Sequence, residues 1–440
     1  MVENLGVLFL KNLKDDEDGE LYIKKTEEKF FEPDNGKLEK INISEKIECA
    51  VRIYSDNKLA FGYVSSPDEE KVLALMDKIR EILPYQKNRE QFSFSEKKPL
   101  PKIPKIYDKN YDSLLNEELG SFTVALEKKA TDFDNRIKTT RGTQLSVYKE
   151  SVQIVNNKGV DYFFEKTGYF VEMVVVAEEN GETGDSWKVT HSHFFDELSL
   201  EIAVNTAESA LLSIGGNQPS TGKYPVIIEN KAASLLLSTL FSSFNYENIY
   251  KKKSPLIDKL NKKIASKEVN VVLNGLNTIG SSAFPFDDEG VCSGEINIIQ
   301  EGVLSNYIYD LEYAVIAGKE PSGSSVREEV KAPPVIKPRN FYIKEGKNDV
   351  KDFVNTFNEI IVVTELMGLH TLDPVTWQFS LGAKGFLYKN GKIDSPLQQF
   401  TIAGDIFTLL EDSKPLNDLV FTGSTGSPSL FIKEINIAGK

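Results

Sequence analysis

The sequence predicts an α+β fold: an N-terminal sheet-and-helix region followed by a β-rich C-terminal domain. Two observations carry the prediction. The first half reads strands-then-helix twice, a possible structural duplication without a residue-level repeat. Beyond Asn217–Gly222 come one strand, one helix and then mostly strands.

Residues Glu20 to Tyr63 read as strands. Val51, Ile53 and Leu59 to Val64 carry β-favouring side chains around the turn Ser55-Asp-Asn-Lys58. A helix is expected from Pro67 to Leu83, with Ser66 as N-cap, Pro67 at its first position and Glu69 completing a capping box. Val72, Leu75, Met76, Ile79 and Leu83 form its apolar stripe, and Pro84 stops it. Pro99-Leu-Pro-Lys-Ile-Pro104 is an extended spacer. It divides a first subdomain, residues 1–98, from a second, residues 105–216.

In the second subdomain a helix covers Asn116 to Lys129. Strands follow from Asn135 to Phe195, broken by turns at Asn156-Asn157-Lys158-Gly159 and Glu179-Asn180-Gly181. A helix from Asp196 to Ile214 stops at Gly215-Gly216. The third unit, residues 223–440, opens with a strand at Pro225–Ile228 and a helix at Asn230–Phe244. A later helix is expected from Asp349 to Ile361.

The chain has 440 residues, 40% hydrophobic and 27% charged, which suits a globular protein of two or three domains. Its 52 Lys and Arg against 66 Asp and Glu give a net charge of −14, which argues against a nucleic-acid surface. Lys251-Lys252-Lys253 reads as a solvated loop. Two cysteines, Cys49 and Cys292, exclude a disulfide framework and suit a reducing compartment. The apolar run Leu5 to Leu10 is too short for a signal-peptide core or a membrane helix. A cytoplasmic location with no membrane partner is therefore expected.

Phe284 to Gly302 organises the C-terminal half. Asp287, Asp288 and Glu289 are closed by Gly290, and Ile296, Ile298 and Ile299 run into a hairpin turn at Glu301-Gly302. Read locally, this is a solvated acidic turn between two strands. Paired carboxylates for acid–base work are a second reading, but neighbours on a strand face opposite ways, so at most two would converge.

Phe284-Pro-Phe-Asp-Asp-Glu-Gly-Val, with Ile299-Gln-Glu-Gly-Val-Leu-Ser-Asn-Tyr307, resembles the TldD/PmbA family of gyrase modulators and related peptidases. Gly318-Lys-Glu-Pro-Ser-Gly-Ser-Ser-Val-Arg327 is similar to the family's Gly…Ser-Gly…Arg loop. Gln378 to Ile393 is similar to its Phe-Ser…Gly…Asn-Gly hairpin. The resemblance is strong from Tyr224 to Lys440. It implies a cytoplasmic zinc peptidase system acting on unfolded or small peptides. The family opens on a longer amphipathic helix than Met1 to Lys14 provides, so a trimmed or later start is expected here.

In the family's active half, a helical His-Glu-x-x-x-His supplies two zinc-binding histidines and a general base, and a C-terminal cysteine completes the site. Zinc needs such N and S ligands with one position open for water. Here the corresponding helix, Asn230 to Tyr250, has no His, and its only acid is Glu247. Pro415 to Lys440 has no Cys. The resemblance is therefore to the PmbA-like half, with no cofactor in this chain and zinc only in a TldD-like partner subunit.

Phe286, Asp287, Asp288, Glu289 and Arg327 are the candidate peptide-groove residues. The three acids would shape a groove rim, and Arg327 would pair bidentately with a peptide carboxylate or else with Glu328 or Asp310. Edge-strand pairing would hold peptides of varied sequence. His191 and His193 share a strand face and are the alternative metal ligands, still short of a third. Cys292 reads as a small packed residue rather than a nucleophile, and Cys49 as core. Two rival functions follow: a stand-alone metallopeptidase using His191 and His193, and a homodimeric peptide-binding scaffold. A gyrase or toxin link rests on the resemblance alone.

Overall fold

The computed structural model describes residues 4–89 and 92–440. Of the N-terminal segment, residues 1–3 lie outside it. A short helix α1 (Leu5–Lys11) precedes three antiparallel strands, β1 (Asp18–Asp34), β2 (Lys37–Ser55) and β3 (Lys58–Ser65). Helix α2 (Glu69–Ile82) follows, and then α3 (Asn116–Thr131) after the extended spacer. Next come β4 (Ile137–Asn156), β5 (Asp161–Glu179), β6 (Glu182–Ser192) and α4 (Glu201–Leu212). The six strands make one antiparallel sheet in the order β3-β2-β1-β4-β5-β6. Its central pairing, β1 with β4, joins the segments before and after the spacer.

The turns fall where the sequence placed them. Asp56 and Asn57 take φ of 49° and 60°, the left-handed pair that a two-residue hairpin requires, and Asn180 and Gly181 take 54° and 84°. Three helix readings need correction. The cap of α2 is Asp68, whose carboxylate accepts the Lys71 N–H at 2.8 Å. Ser66 instead takes φ 47° and donates its N–H to the Ile47 carbonyl, so the chain is still leaving the sheet there. The helix expected from Asp196 is a single turn at Phe195–Glu197 followed by α4. Asp349 to Ile361 is not one helix: Val350–Val354 is a single helical turn, and Glu359–Met367 is a strand. Ile360, Ile361, Val362 and Val363 are all buried there, and β-branched side chains filling both faces favour a central strand over a helix.

The C-terminal half begins with β7 (Gly222–Ile228), α5 (Asn230–Leu240), α6 (Tyr246–Tyr250), β8 (Val271–Asn274), β9 (Glu295–Gln300), β10 (Val303–Leu304) and α7 (Leu311–Ala317). It continues through β11 (Ser325–Val326), β12 (Val335–Ile336), β13 (Phe341–Ile343), α8 (Val350–Val354), β14 (Glu359–Met367), β15 (Gln378–Lys389) and β16 (Lys392–Asp405). Helix α9 (Ile406–Asp412) and strands β17 (Ser413–Pro415), β18 (Val420–Thr422), β19 (Thr425–Ser427) and β20 (Leu430–Ala438) complete it.

One sheet runs β10-β9-β8-β13-β19-β18 and another β16-β15-β14-β7-β20-β17. Because β16 also pairs with β20, five strands of the second sheet close into a ring, which removes its edges. Helix α5 packs Leu236, Leu237 and Leu240 into the large core shared by both sheets. It continues as a helical turn through Phe244.

Candidate functional site

The acidic turn is buried, which corrects its reading as a solvated loop. Asp287, Asp288 and Glu289 are 1%, 5% and 5% exposed. The turn closes when the Gly290 N–H reaches the Asp287 carbonyl at 3.0 Å, with Gly290 at φ +73°. In this geometry all three acids enter the protein, each toward different donors, rather than alternating as they would on a strand.

Asp287 accepts the N–H groups of Glu289, Val291 and Ser325, each at 2.9 Å. Asp288 accepts the Arg327 N–H at 2.6 Å and Arg339 Nη2 at 3.0 Å. Glu289 accepts Arg52 Nη1 and Ser325 Oγ, both at 2.7 Å, and the Leu311 N–H at 3.1 Å. Arg52 gives Nε and Nη2 to the two oxygens of Glu20 at 2.9 and 2.8 Å, and Arg327 Nη2 reaches Glu20 at 3.3 Å.

Buried charges persist only when paired and hydrogen-bonded. Glu20, Asp288 and Glu289 meet that condition across both halves of the chain. Among the described residues, Asp287 has backbone donors but no ion-paired cation, and the Nε atoms of Arg327 and Arg339 have no hydrogen-bond partner. Burial opposes the Arg52 charge, but Glu20 and Glu289 outweigh it and hold the guanidinium above its usual value. Burial and the Glu289 carboxylate push Asp287 up to about 8, against the pull of its N–H donors. Arg327 stacks on Tyr22 and Phe61, with its charge centre 5.0 and 5.5 Å from the ring centroids. Its side chain faces Glu20, neither Glu328 nor Asp310, so its head group is committed within the fold.

Beside this network lies an open groove of about 700 Å3. Its floor is the face of β1, β2 and β4 that carries Lys24, Glu48, Ser146 and Glu150. Its wall is the segment from Arg327 to Lys331. Lys24 and Glu150 are 3.5 Å apart. Burial would raise the Glu150 carboxyl, but Lys24, Lys166 and Arg339 outweigh it and lower it. Lys166, 6% exposed, donates to the Ser281 carbonyl at 3.1 Å, and burial pushes its ammonium down to about 8. Among the candidate residues Arg327 lines the groove, whereas Phe286 is fully buried in the aromatic cluster of Tyr162 and Phe284.

Zinc does not fit the residues of α5. Ser234 is buried and donates its hydroxyl to the Thr425 carbonyl at 2.8 Å, and the apolar side chains beside it are core. Hydroxyl and leucine side chains cannot replace imidazole and thiolate as zinc ligands. Among the described residues no group of three or more His, Cys, Asp or Glu side chains is arranged to hold a metal ion. His191 and His193 do come together, with ring centroids 4.8 Å apart. His193 Nδ1 bonds the Thr167 carbonyl at 2.7 Å, and both Nε2 atoms are buried without a partner. Cys292 packs against the Pro99 carbonyl, and burial raises its thiol. Cys49 is in the core, its thiol pushed up to about 12 by burial.

Residues 221–439 match the PmbA/TldA metallopeptidase C-terminal domain, and residues 109–214 match the PmbA/TldA metallopeptidase central domain. The chain belongs to the PmbA/TldD family. It is 28% identical over 394 residues to an uncharacterized protein of Methanocaldococcus jannaschii, covering 87% of each chain. It is 25% identical to the metalloprotease PmbA of Escherichia coli O157:H7, covering 74% of this chain and 70% of that one. To a zinc metalloprotease TldD homolog of Saccharolobus solfataricus the identity is 21%, covering 77% and 79%. Two solved structures share the fold over 100% of both chains. A DNA gyrase modulator of Thermotoga maritima gives a TM-score of 0.91 at 24% identity, and TldE of Thermococcus kodakarensis gives 0.90 at 20%. A peptidase-related role follows from this membership.

Sequence reasoning did not single out Glu20, Arg52 and Arg339, which complete the PmbA/TldD acidic turn. A signal was present for two of them: Glu20 precedes Leu-Tyr-Ile and Arg52 stands inside Ala-Val-Arg-Ile, charges within apolar strand runs, and the two are direct partners in the β1–β2 register.

Proposed function

We propose that this chain is the PmbA-like, non-catalytic half of a cytoplasmic peptidase whose zinc resides in a TldD-like partner subunit. The observation that carries this reading is the donor chemistry of α5, where the family's zinc helix is filled by core leucines and a committed serine. The chain's own contribution is then to bind. The open groove beside Arg327, about 700 Å3, would take an extended segment, and its mixed Lys and Glu lining suits peptides of varied sequence. Asp287, Asp288, Glu289 and Arg327 serve it indirectly, by fixing the Arg327–Lys331 wall to the sheet. Metal chemistry, a lowered-pKa water and a polarised carbonyl, belongs to the partner.

The test is a peptidase assay on unstructured peptides with each subunit alone and with the mixture, with and without chelator. The expected result is background turnover for this chain and chelator-sensitive cleavage for the mixture, above that of either subunit. A mixture no more active than the zinc subunit alone would overturn the reading.

The two unpartnered Nε2 atoms of His191 and His193 favour a second reading, a stand-alone metallopeptidase. Stoichiometric zinc in the purified chain, lost in His191→Phe, together with chelator-sensitive cleavage by the chain alone, would establish it.

A further inference from the structure

A second cleft, separate from the groove, lies where edge strand β6 of the N-terminal sheet meets the closed sheet. Its volume is about 220 Å3. That is below the roughly 300–1,000 Å3 of drug-sized sites and suits a smaller molecule. Asp185, Glu365 and Lys384 are matched to one another, whereas Lys188, Lys231 and Glu229 make no ion pair among the described residues. Lys384 is matched: it holds Asp185 at 2.8 Å and Glu365 at 3.6 Å. Glu229, which precedes α5, is left over. Its N–H bonds the Val363 carbonyl, but among the described residues its carboxylate has no hydrogen-bond donor and no ion pair. Burial raises it, against Lys188 and Lys231.

Lys231 is the complementary case. Its ammonium lies over the Trp187 ring, 3.4 Å from the centroid, and donates to the Trp187 carbonyl, which leaves further N–H donors for a ligand. Burial pushes it down to about 8. Trp187 is itself fixed, its indole N–H donating to Glu172 at 2.6 Å. One small cleft thus holds an acid without a donor, an amine with spare donors and a rigid aromatic wall.

We propose that this cleft binds a small zwitterion, a free α-amino acid or dipeptide, with its ammonium on Glu229 and its carboxylate on Lys231. The assignment does not rest on the peptidase reading, because neither the groove nor a partner subunit enters it.

Trp187 supplies the readout. The chain has two tryptophans, and the other, Trp377, is fully buried in the C-terminal core. The full chain is titrated with alanine and with alanyl-alanine while fluorescence is followed, then with N-acetylated and C-amidated forms of each. The expected result is a saturable change with one or both free zwitterions, weakened about tenfold by either blocking group. Glu229→Gln and Lys231→Met should weaken it comparably, and Trp187→Phe should remove it. If either cleft variant fails to fold, the blocked ligands on the native chain decide alone. Absence of a saturable change, equal affinity for blocked and free forms, or a change that survives Trp187→Phe would overturn the proposal. The size preference between alanine and alanyl-alanine then tells which zwitterion the cleft takes.

Discussion

Arg52 and Glu289 are 237 residues apart in the chain and 2.7 Å apart in the fold. They join β2 of the N-terminal sheet to the acidic turn of the C-terminal half. Arg52→Met would leave Glu289 and one edge of Glu20 buried without their cation. Removing one partner of such a pair costs about 3–5 kcal/mol. Chemical denaturation should show that loss, and adding Glu289→Gln to Arg52→Met should recover part of it.

Gly290 permits the turn that aims the three acids inward. An alanine there would sit at φ +73° with its Cβ 2.7 Å from Ser95 Oγ, displacing the bond that Ser95 makes to the Glu289 carbonyl at 2.7 Å. Gly290→Ala should destabilise by about 1–3 kcal/mol. A neighbouring control, Gly294→Ala, meets nothing within 4 Å and should be close to neutral by thermal melting.

Burial depresses the imidazoles of His191 and His193 to about 3 and about 4, from an ordinary 6.5. From pH 6.5 down to those values the unfolded chain takes up protons that the folded chain refuses, so stability falls as pH falls. For His193 the effect is at most about 3 kcal/mol. Melting temperatures taken between neutral pH and about pH 4 should decline, and His193→Gln should flatten that slope.

Ser146 lines the groove floor, on the face of β4 opposite the buried Leu145 and Val147. Ser146→Trp should fill the groove without entering the core. Steady-state assays of the two-subunit mixture should then show KM raised about tenfold or more, with melting of this chain unchanged.

The hairpin turns and the starts of α3 and α5 were legible because their signals are local, whereas the cap of α2 and the start of α4 were not. Asn57, Gly159, Asn180 and Gly181 stand in left-handed backbone at their turns, and the stripe through Val72, Met76 and Ile79 is buried as its spacing implies. What was not legible depends on distant residues. The run Asp287-Asp288-Glu289 looks solvated until Arg52, Arg339 and the Ser325 and Arg327 amides are brought to it. Ile360 and Ile361, placed at the end of the helix expected from Asp349, become part of a strand because β7 and β15 flank them. Glu229 and Lys231 carried no motif, since their interest lies in which neighbours they lack.

The Arg52–Glu289 pair also sets an order of events during synthesis. At about 5–20 residues per second, Glu289 leaves the ribosome on the order of 10–50 s after Arg52. Glu20 stands opposite Arg52 in the first hairpin and can neutralise it meanwhile with its bidentate grip. The nascent sheet therefore carries its own temporary counter-ion, and its last face seals only when the C-terminal half arrives.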